Sequence, residues 1–433
     1  MSSRAAARLP ATFRSLRHRN FRLFFFGQLI SHIGTWMQII AQQWLVYRLT
    51  GSATMLGLVS LLPLLPLVPL SIWGGSLADR WPKRSILVAT QTVMMAQAFV
   101  LVALVRTGTV DVWHVMLLAL VLGSAMAVDT PARQAFVVEM VEDREDLTNA
   151  IGLNSTIFNA GRAIGPALAG VAVAATGEGG AFLINAFSFV AVIAALLLMR
   201  LPKMDRPAKS ANAVAHMKEG VRYVLGRPTL LVLMSMVAVS AFLSMPYTTL
   251  LPVFAKSVLS ESAQPLIGLV CGGSTVSMQC QSPDALTFGL LQAASGIGAV
   301  VGALIVASMP KGARRGHWLT LGNLLFPAAL IVMAASRSFA LSFVVLVVAG
   351  FSFVAQNALA NTLIQISVPD DLRGRVMSVY SLSFQGMNRM GGMQAGFMGD
   401  LIGAPATVAI GAALCLLYGI LIAWRYPQVR DMA

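Results

Sequence analysis

Long apolar runs recur along the whole chain with only short polar gaps between them. They fall at about 21–47, 54–77, 86–107, 112–136, 148–175, 180–200, 229–255, 284–309, 317–336, 338–362, 374–400 and 403–425. A helix that crosses a bilayer needs about 20 apolar residues. Lipid offers the backbone no hydrogen-bond partners, so each run must satisfy its own N–H and C=O groups. The pattern predicts an all-α membrane protein with twelve transmembrane helices. Of the 433 residues, 57% are apolar and 11% charged. Soluble domains carry about 25% charged residues, so a water-soluble fold is excluded. Disorder is excluded too, because it needs low hydrophobicity and high charge.

An even number of spans puts both termini on one side, and the charges select the side. The chain carries 31 Lys and Arg against 17 Asp and Glu, a net charge of +14. With the termini inside, four basic residues lie outside (Arg48, Arg106, Lys256, Arg337), two lie within spans (Arg162, Arg389), and the other 25 lie inside. Basic residues gather in cytoplasmic loops. The excess therefore reads as membrane orientation rather than nucleic-acid binding, with both termini cytoplasmic in a bacterial inner membrane. The apolar run after the basic N-terminal arm is too long for a cleavable leader and lacks a small-residue cleavage site.

The longest inner gap, 201–228, lies between spans six and seven and contains His216-Met217-Lys218-Glu219-Gly220-Val221-Arg222-Tyr223-Val224-Leu225. Its apolar residues recur at helical spacing, which predicts an amphipathic helix on the inner membrane surface. The chain thus divides into a six-helix bundle (1–200), a cytoplasmic linker (201–228) and a second six-helix bundle (229–433). Placing Arg162 on Arg389 without gaps also aligns Gly165 with Gly392, Val141 with Val368 and Asp143 with Asp370. The matches fall in equivalent spans, as expected for pseudo-symmetric bundles. Parallel six-span halves are a transporter architecture.

Three motifs sharpen this reading. Gly74-Gly75-Ser76-Leu77-Ala78-Asp79-Arg80-Trp81-Pro82-Lys83-Arg84, between spans two and three, resembles the inner-loop signature of the Major Facilitator Superfamily, with Pro82 in place of the usual Gly. Asp79 can face a helix N-terminus, whose dipole favours an anion, and Arg80 and Arg84 can reach an acid on a nearby span. By the same resemblance, Asp129 at the end of span four closes that network. The alternative is a local pair with Arg133, four residues on. Gly152, Gly161, Gly165, Pro166, Ala169 and Gly170 in span five are similar to the superfamily's antiporter motif, with Ala169 replacing a glycine. Small residues let backbones approach closely in lipid, so a plain packing face is the other reading, with Gly298 and Gly302 as its partner.

A narrower resemblance covers most of the first half. Asn20-Phe21-Arg22, Ile33-Gly34-Thr35-Trp36-Met37-Gln38, Ala41-Gln42-Gln43-Trp44-Leu45-Val46, Pro131-Ala132-Arg133-Gln134-Ala135-Phe136, Leu153-Asn154-Ser155 and Asp371-Leu372-Arg373-Gly374-Arg375-Val376-Met377-Ser378 resemble the enterobactin-exporter-like branch, the transmembrane secretion effectors. The resemblance implies a secondary transporter that exports a siderophore, drug or other secondary metabolite by alternating access.

Arg162 and Arg389 lie about 14 residues into their spans, roughly 21 Å deep at 1.5 Å per residue. A mid-membrane arginine is a functional candidate, and two roles fit: contact with an anionic or catecholate-like substrate, or interhelical bonds that hold one gate state. Span one carries Gln28, His32, Thr35, Gln38, Gln42 and Gln43, too many polar groups for a lipid face. With Trp36 they are expected to line a central cavity, opposite Gln356, Asn357, Asn361, Gln385 and Asn388. Interhelical hydrogen bonding is the alternative for each. His32 is a candidate proton carrier, since Asp129, Asp284 and Asp400 all fall toward span ends.

The 256–283 gap is read as a long outer loop in which Cys271 and Cys280 can form a disulfide under oxidising conditions. The five histidines show no metal-ligand spacing, and no Gly-x4-Gly-Lys-Ser/Thr loop is present. The expectation is therefore no enzyme and no cofactor. The expected partners are a small-molecule substrate, membrane lipid and protons as coupling ion. An uptake transporter, or a membrane-embedded enzyme or receptor, remains the rival.

Overall fold

The computed structural model describes residues 11–67, 69–70, 81–141, 144–200, 213–271, 280–310 and 313–432. Its ordered elements are helical. In chain order they are α1 (Arg19–Thr50), α2 (Ala53–Leu61), α3 (Lys83–Arg106), α4 (Val112–Glu139), α5 (Arg144–Leu198), α6 (Ala213–Leu225), α7 (Pro228–Val239), α8 (Tyr247–Val253), α9 (Ser260–Cys271), α10 (Pro283–Ala307), α11 (Arg315–Ala335), α12 (Phe339–Ile366), α13 (Asp370–Ile402), α14 (Ala404–Arg425) and α15 (Pro427–Arg430).

The helix ends follow from local chemistry. Gly51 takes a left-handed conformation, φ 64°, and donates to the Tyr47 carbonyl, which stops α1. The Ser52 side chain accepts from the Met55 N–H and starts α2. Pro63 and Pro66 follow Leu61, and a proline removes a backbone donor, so α2 breaks there. In α5, Gly177 has φ 69° and ψ 179°. The two limbs meeting there account for the fifth and sixth spans.

Among the described residues, nine helices are long and apolar enough to cross a membrane. One of them, Asn149–Leu198, has 50 residues and contains the Gly177 turn. The twelve-span reading also takes in the shorter apolar segment Ala53–Leu67 and the 33-residue α13, whose polar face dilutes its hydropathy.

Two boundaries differ from the sequence reading. The seventh span runs on through π-helical turns at Ser240–Ser244 and Phe254–Val258. The expected outer loop then contains α9, because Ala263 and Ile267, four residues apart, give that segment a buried stripe. The linker helix is present as α6. Glu219 pairs with Arg375 at 2.5 Å, and a Cβ on Gly220 would come within 2.8 Å of the Arg375 carbonyl. Val221 and Leu225 remain exposed.

The buried side chains form three clusters. One is shared by residues before and after the linker, including Trp44, Leu56, Phe182, Tyr247, Phe288 and Phe326. The other two are separate. Phe21, Phe24, Phe136 and Phe189 belong to the first half, and Leu233, Leu319, Leu363 and Val376 to the second. The halves are therefore joined at the end carrying Gly51, Gly177 and Gly403 and have independent cores at the other end.

Candidate functional site

The joined end is built on two helix pairs. A Cβ added to Gly289 of α10 would lie 2.4 Å from the Gly170 Cα of α5, and one on Gly296 would lie 2.8 Å from the Ala163 Cα. In the second pair, a Cβ on Gly57 of α2 would lie 2.6 Å from the Gly392 carbonyl of α13, and one on Gly396 would lie 2.3 Å from the Ala53 carbonyl. Backbone meets backbone in both seams, which is what glycine permits in lipid.

The expected span-five motif divides accordingly. Gly170 faces the second half, while Gly161 and Gly165 face Trp36 of α1, with hypothetical Cβ atoms 3.0 and 2.5 Å from it. Pro166 is buried, and its carbonyl lies 2.9 Å from a Cβ placed on Gly289. Gly152 is a correction: it is exposed, and among the described residues none lies within 4 Å of its Cβ position. Gly298 and Gly302 pack on Val347 and Phe351 of α12 rather than on span five.

Each mid-span arginine reaches into the opposite half. Arg162 of α5 places its guanidinium 5.8 Å from the ring centre of Phe353 on α12. Among the described residues it has no hydrogen-bond or ion-pair partner beyond that ring. Arg389 of α13 donates from Nη1 to the Ser60 carbonyl of α2 at 2.8 Å.

Of the expected inner network, Asp79 and Arg80 lie outside the described residues. Arg84 does not reach Asp129. It donates to the Leu197 carbonyl at 2.6 Å and the Met199 carbonyl at 3.3 Å. Carbonyls at a helix end lack intrahelical donors, and a cation suits that end of the dipole. Asp129 instead accepts from Thr90 Oγ1 at 2.8 Å and Gln91 Nε2 at 3.0 Å, and forms the local pair with Arg133 at 3.3 Å.

Arg133 extends this chain to span one. Its Nη1 lies 2.6 Å from His32 Nε2, and its guanidinium 4.5 Å from the Phe158 ring centre. An arginine has no acceptor, so Nε2 accepts. The ring proton then sits on Nδ1, which faces the Gln28 carbonyl at 3.1 Å. The arrangement holds a neutral imidazole, and a proton arriving at Nε2 would break the bond to Arg133.

The remaining polar candidates separate into cavity and bundle interior. Gln38 is buried, donates to Gln97 at 2.9 Å and accepts from Asn185 at 2.6 Å. Gln356 is buried and donates to Ser240 and Asn323, both at 2.9 Å. Both sit inside their own half, a correction to their expected place on a cavity wall. Buried amides find partners, and here the partners are neighbouring helices. Gln28 is also buried, and its amide atoms find no partner among the described residues. Asn357 accepts from Tyr380 at 2.6 Å and Asn361 from Gln365 at 2.6 Å. Gln42 and Asn388 are partly buried.

Three further features escaped sequence reasoning. Asp400, at the end of α13, accepts from Ser52 Oγ at 2.6 Å, the Ala53 N–H at 2.7 Å and the Thr54 N–H at 2.9 Å. Glu178, beside the Gly177 turn, pairs with Arg48 at 2.7 Å. Asp146 is held by Arg14, by Arg17 at 2.7 Å and by His18 at 2.8 Å. Burial pushes the Asp146 carboxyl up, but the bonds from His18 and Arg14 and the charges of Arg14 and Arg17 outweigh it and hold it below the ordinary carboxylate value. Cys271 and Cys280 are joined in a disulfide, with Cα atoms 5.6 Å apart.

The family model described as "transmembrane secretion effector" matches residues 10–432. The staphyloferrin A transporter of Staphylococcus aureus is 25% identical over 395 residues, covering 90% of this chain and 92% of that one. The multidrug efflux pump Tap of Mycolicibacterium fortuitum is 25% identical over 417 residues, covering 95% and 96%. Among solved structures, a bacterial homolog to the human lysosomal transporter Spinster, inward-facing and unoccupied, superposes with TM-score 0.67 at 16% identity, over 95% of this chain and 97% of that one. The nucleoside transporter NupG superposes with TM-score 0.68 at 11% identity, over 94% and 99%. At these identities the structural likeness is one of fold.

Proposed function

From the premise that this chain belongs to the transmembrane secretion effector family of the Major Facilitator Superfamily, we propose that it exports a small molecule by alternating access between two six-helix bundles, driven by proton entry. It is a multi-pass membrane transporter, not an enzyme. The substrate class we infer is a siderophore, drug or other secondary metabolite; relatives named as a staphyloferrin A transporter, a multidrug efflux pump and a macrolide efflux protein support that range. The excess of basic residues on one side supports cytoplasmic termini, so the joined Gly51 end faces out and the divided end faces the cytoplasm.

The observation that carries the reading is Arg162. It sits at mid-span at the junction of the halves, against an aromatic ring of the opposite half. A guanidinium so placed can bind a ligand that carries negative charge or a catecholate, with the ring supporting an aromatic group. Proton coupling falls to His32. Protonation there repels Arg133 from His32 and leaves its charge to the existing pair with Asp129, linking spans one, three and four.

The test is uptake into everted vesicles of siderophores and drugs, with and without a proton gradient. Accumulation that collapses when the gradient is discharged is the expected result. Gradient-independent accumulation removes the coupling, and uptake only into right-side-out vesicles removes export.

A further inference from the structure

Helix α2 is gripped by α13 at both of its ends. At the first turn, the Asp400 carboxylate accepts from Ser52 Oγ and from the Ala53 and Thr54 N–H groups. At the last turn, Arg389 Nη1 donates to the Ser60 carbonyl. The first N–H groups and last C=O groups of a helix have no partners inside it. An anion is favoured at the first end and a cation at the last. The signs on α13 match both.

The spacing matches as well. Asp400 and Arg389 are 11 residues apart on α13, about 16 Å along its axis, and Ser52 to Ser60 spans about 12 Å of α2. The long arginine side chain covers the difference. Between the two grips, Gly57 meets Gly392 and Ala53 meets Gly396 with no side chain in the way. The chain leaves the α-helical path at Leu62 and Pro63, before Leu64 can donate to the Ser60 carbonyl, so that carbonyl is an end group open to Arg389.

We propose that α2 is the outer gate of the transport path, and that α13 locks it shut by complementary charge at its two ends, Asp400 at one and Arg389 at the other. The proposal rests on the outer assignment of the Gly51 end made above. Opening toward the outside requires Asp400 to release three donors and Arg389 one carbonyl, together with separation of the glycine seam. Each charge-assisted bond is stronger than a neutral one, so the lock favours the outer-closed state until it is released.

The lock predicts a two-sided change in access to Ser60. The probe is a membrane-impermeant maleimide reacting with the thiol introduced by Ser60→Cys, which keeps the backbone carbonyl. Rates are read in intact cells and in everted vesicles, with background taken from protein lacking that substitution. Adding Asp400→Asn should raise the rate in intact cells about 10-fold or more and lower it in everted vesicles, the population shift expected from losing one charge-assisted bond. Asp400→Glu, which keeps the charge, should label far more slowly than Asp400→Asn in intact cells.

Ala53→Pro is the second variant. It deletes one donor at a position where helices accept proline and where Ser52 is already extended. It should act in the same direction as Asp400→Asn. Folding of every variant is read from monodisperse elution in detergent. Unchanged rates from both sides in a folded Asp400→Asn or Ala53→Pro protein overturn the lock. A rise confined to everted vesicles overturns the outer assignment while supporting the lock, so the two failures are distinguishable.

Discussion

Arg389 of the second half donates to the Ser60 carbonyl of the first at 2.8 Å, while Arg162 of the first half stands over Phe353 of the second and makes no hydrogen bond among the described residues. Two arginines that align in sequence thus cross the same interface in opposite directions and end in different chemistry. One donates to a backbone carbonyl, and the other lies against an aromatic ring, which is the basis for proposing it as the ligand contact.

That difference separates their variants. Losing a charge-assisted hydrogen bond costs about 1.5–3 kcal/mol, roughly 10- to 150-fold in affinity. Arg162→Gln should weaken an anionic ligand by that factor and leave a cationic one nearly unchanged. Arg389→Gln should reduce transport of both alike. Binding of one ligand of each sign to the purified Arg162→Gln protein, and transport of both by Arg389→Gln in vesicles, check this; an Arg162→Gln protein that keeps its affinity for the anion is the contrary result.

His32 accepts from Arg133 at 2.6 Å. If this contact couples protons to transport, His32→Gln should retain substrate exchange between the two sides of a vesicle. It should lose accumulation driven by a pH gradient. Gradient-driven accumulation at the parent rate would assign the pair a purely structural role.

The Gly170–Gly289 seam leaves no room for a methyl group, since a Cβ on Gly289 would fall 2.4 Å from the Gly170 Cα. Overpacking of this kind costs about 1–3 kcal/mol. Gly289→Ala should lower the melting temperature in detergent. Gly152→Ala, at a position with open surroundings, should not; equal shifts in the two proteins would show that the seam is not specific.

Asp146 carries the pH dependence of the N-terminal arm. Its folded carboxyl lies below the ordinary value of about 3.9. The stabilisation is therefore fully present above the unfolded value and is lost as pH falls through the folded one. Hydrogen exchange at Ser15, whose N–H donates to Asn149, should stay slow from pH 7 down to about pH 4 after correction for the intrinsic rate. It should accelerate below that, and Asp146→Asn should show the fast rate at pH 7.

The spans were legible because lipid imposes one requirement, length in apolar residues, that a sequence displays directly. The rotation of each helix about its axis was not. Gln38 and Gln356 sit in runs with polar residues on several faces, and only the structure shows both turned into their own bundles. For Arg84 the sequence suggests an acid on a nearby span, and only the structure shows it on the Leu197 and Met199 carbonyls instead. The Asp129–Arg133 pair, four residues apart, was visible as an option because its geometry is local. Asp400 was visible only as an acid near a span end, since its three donors lie more than 340 residues earlier in the chain.

The two seams have a mechanical consequence. Where Gly170 meets Gly289 and Gly57 meets Gly392, the contacting atoms belong to the main chain. Closing such a joint freezes no side-chain rotamers, and parting it leaves behind no socket shaped to one particular side chain. The glycine surfaces themselves can therefore meet and separate without a change of rotamer, and the side-chain repacking of a cycle falls on the shared cluster around Trp44, Tyr247 and Phe288.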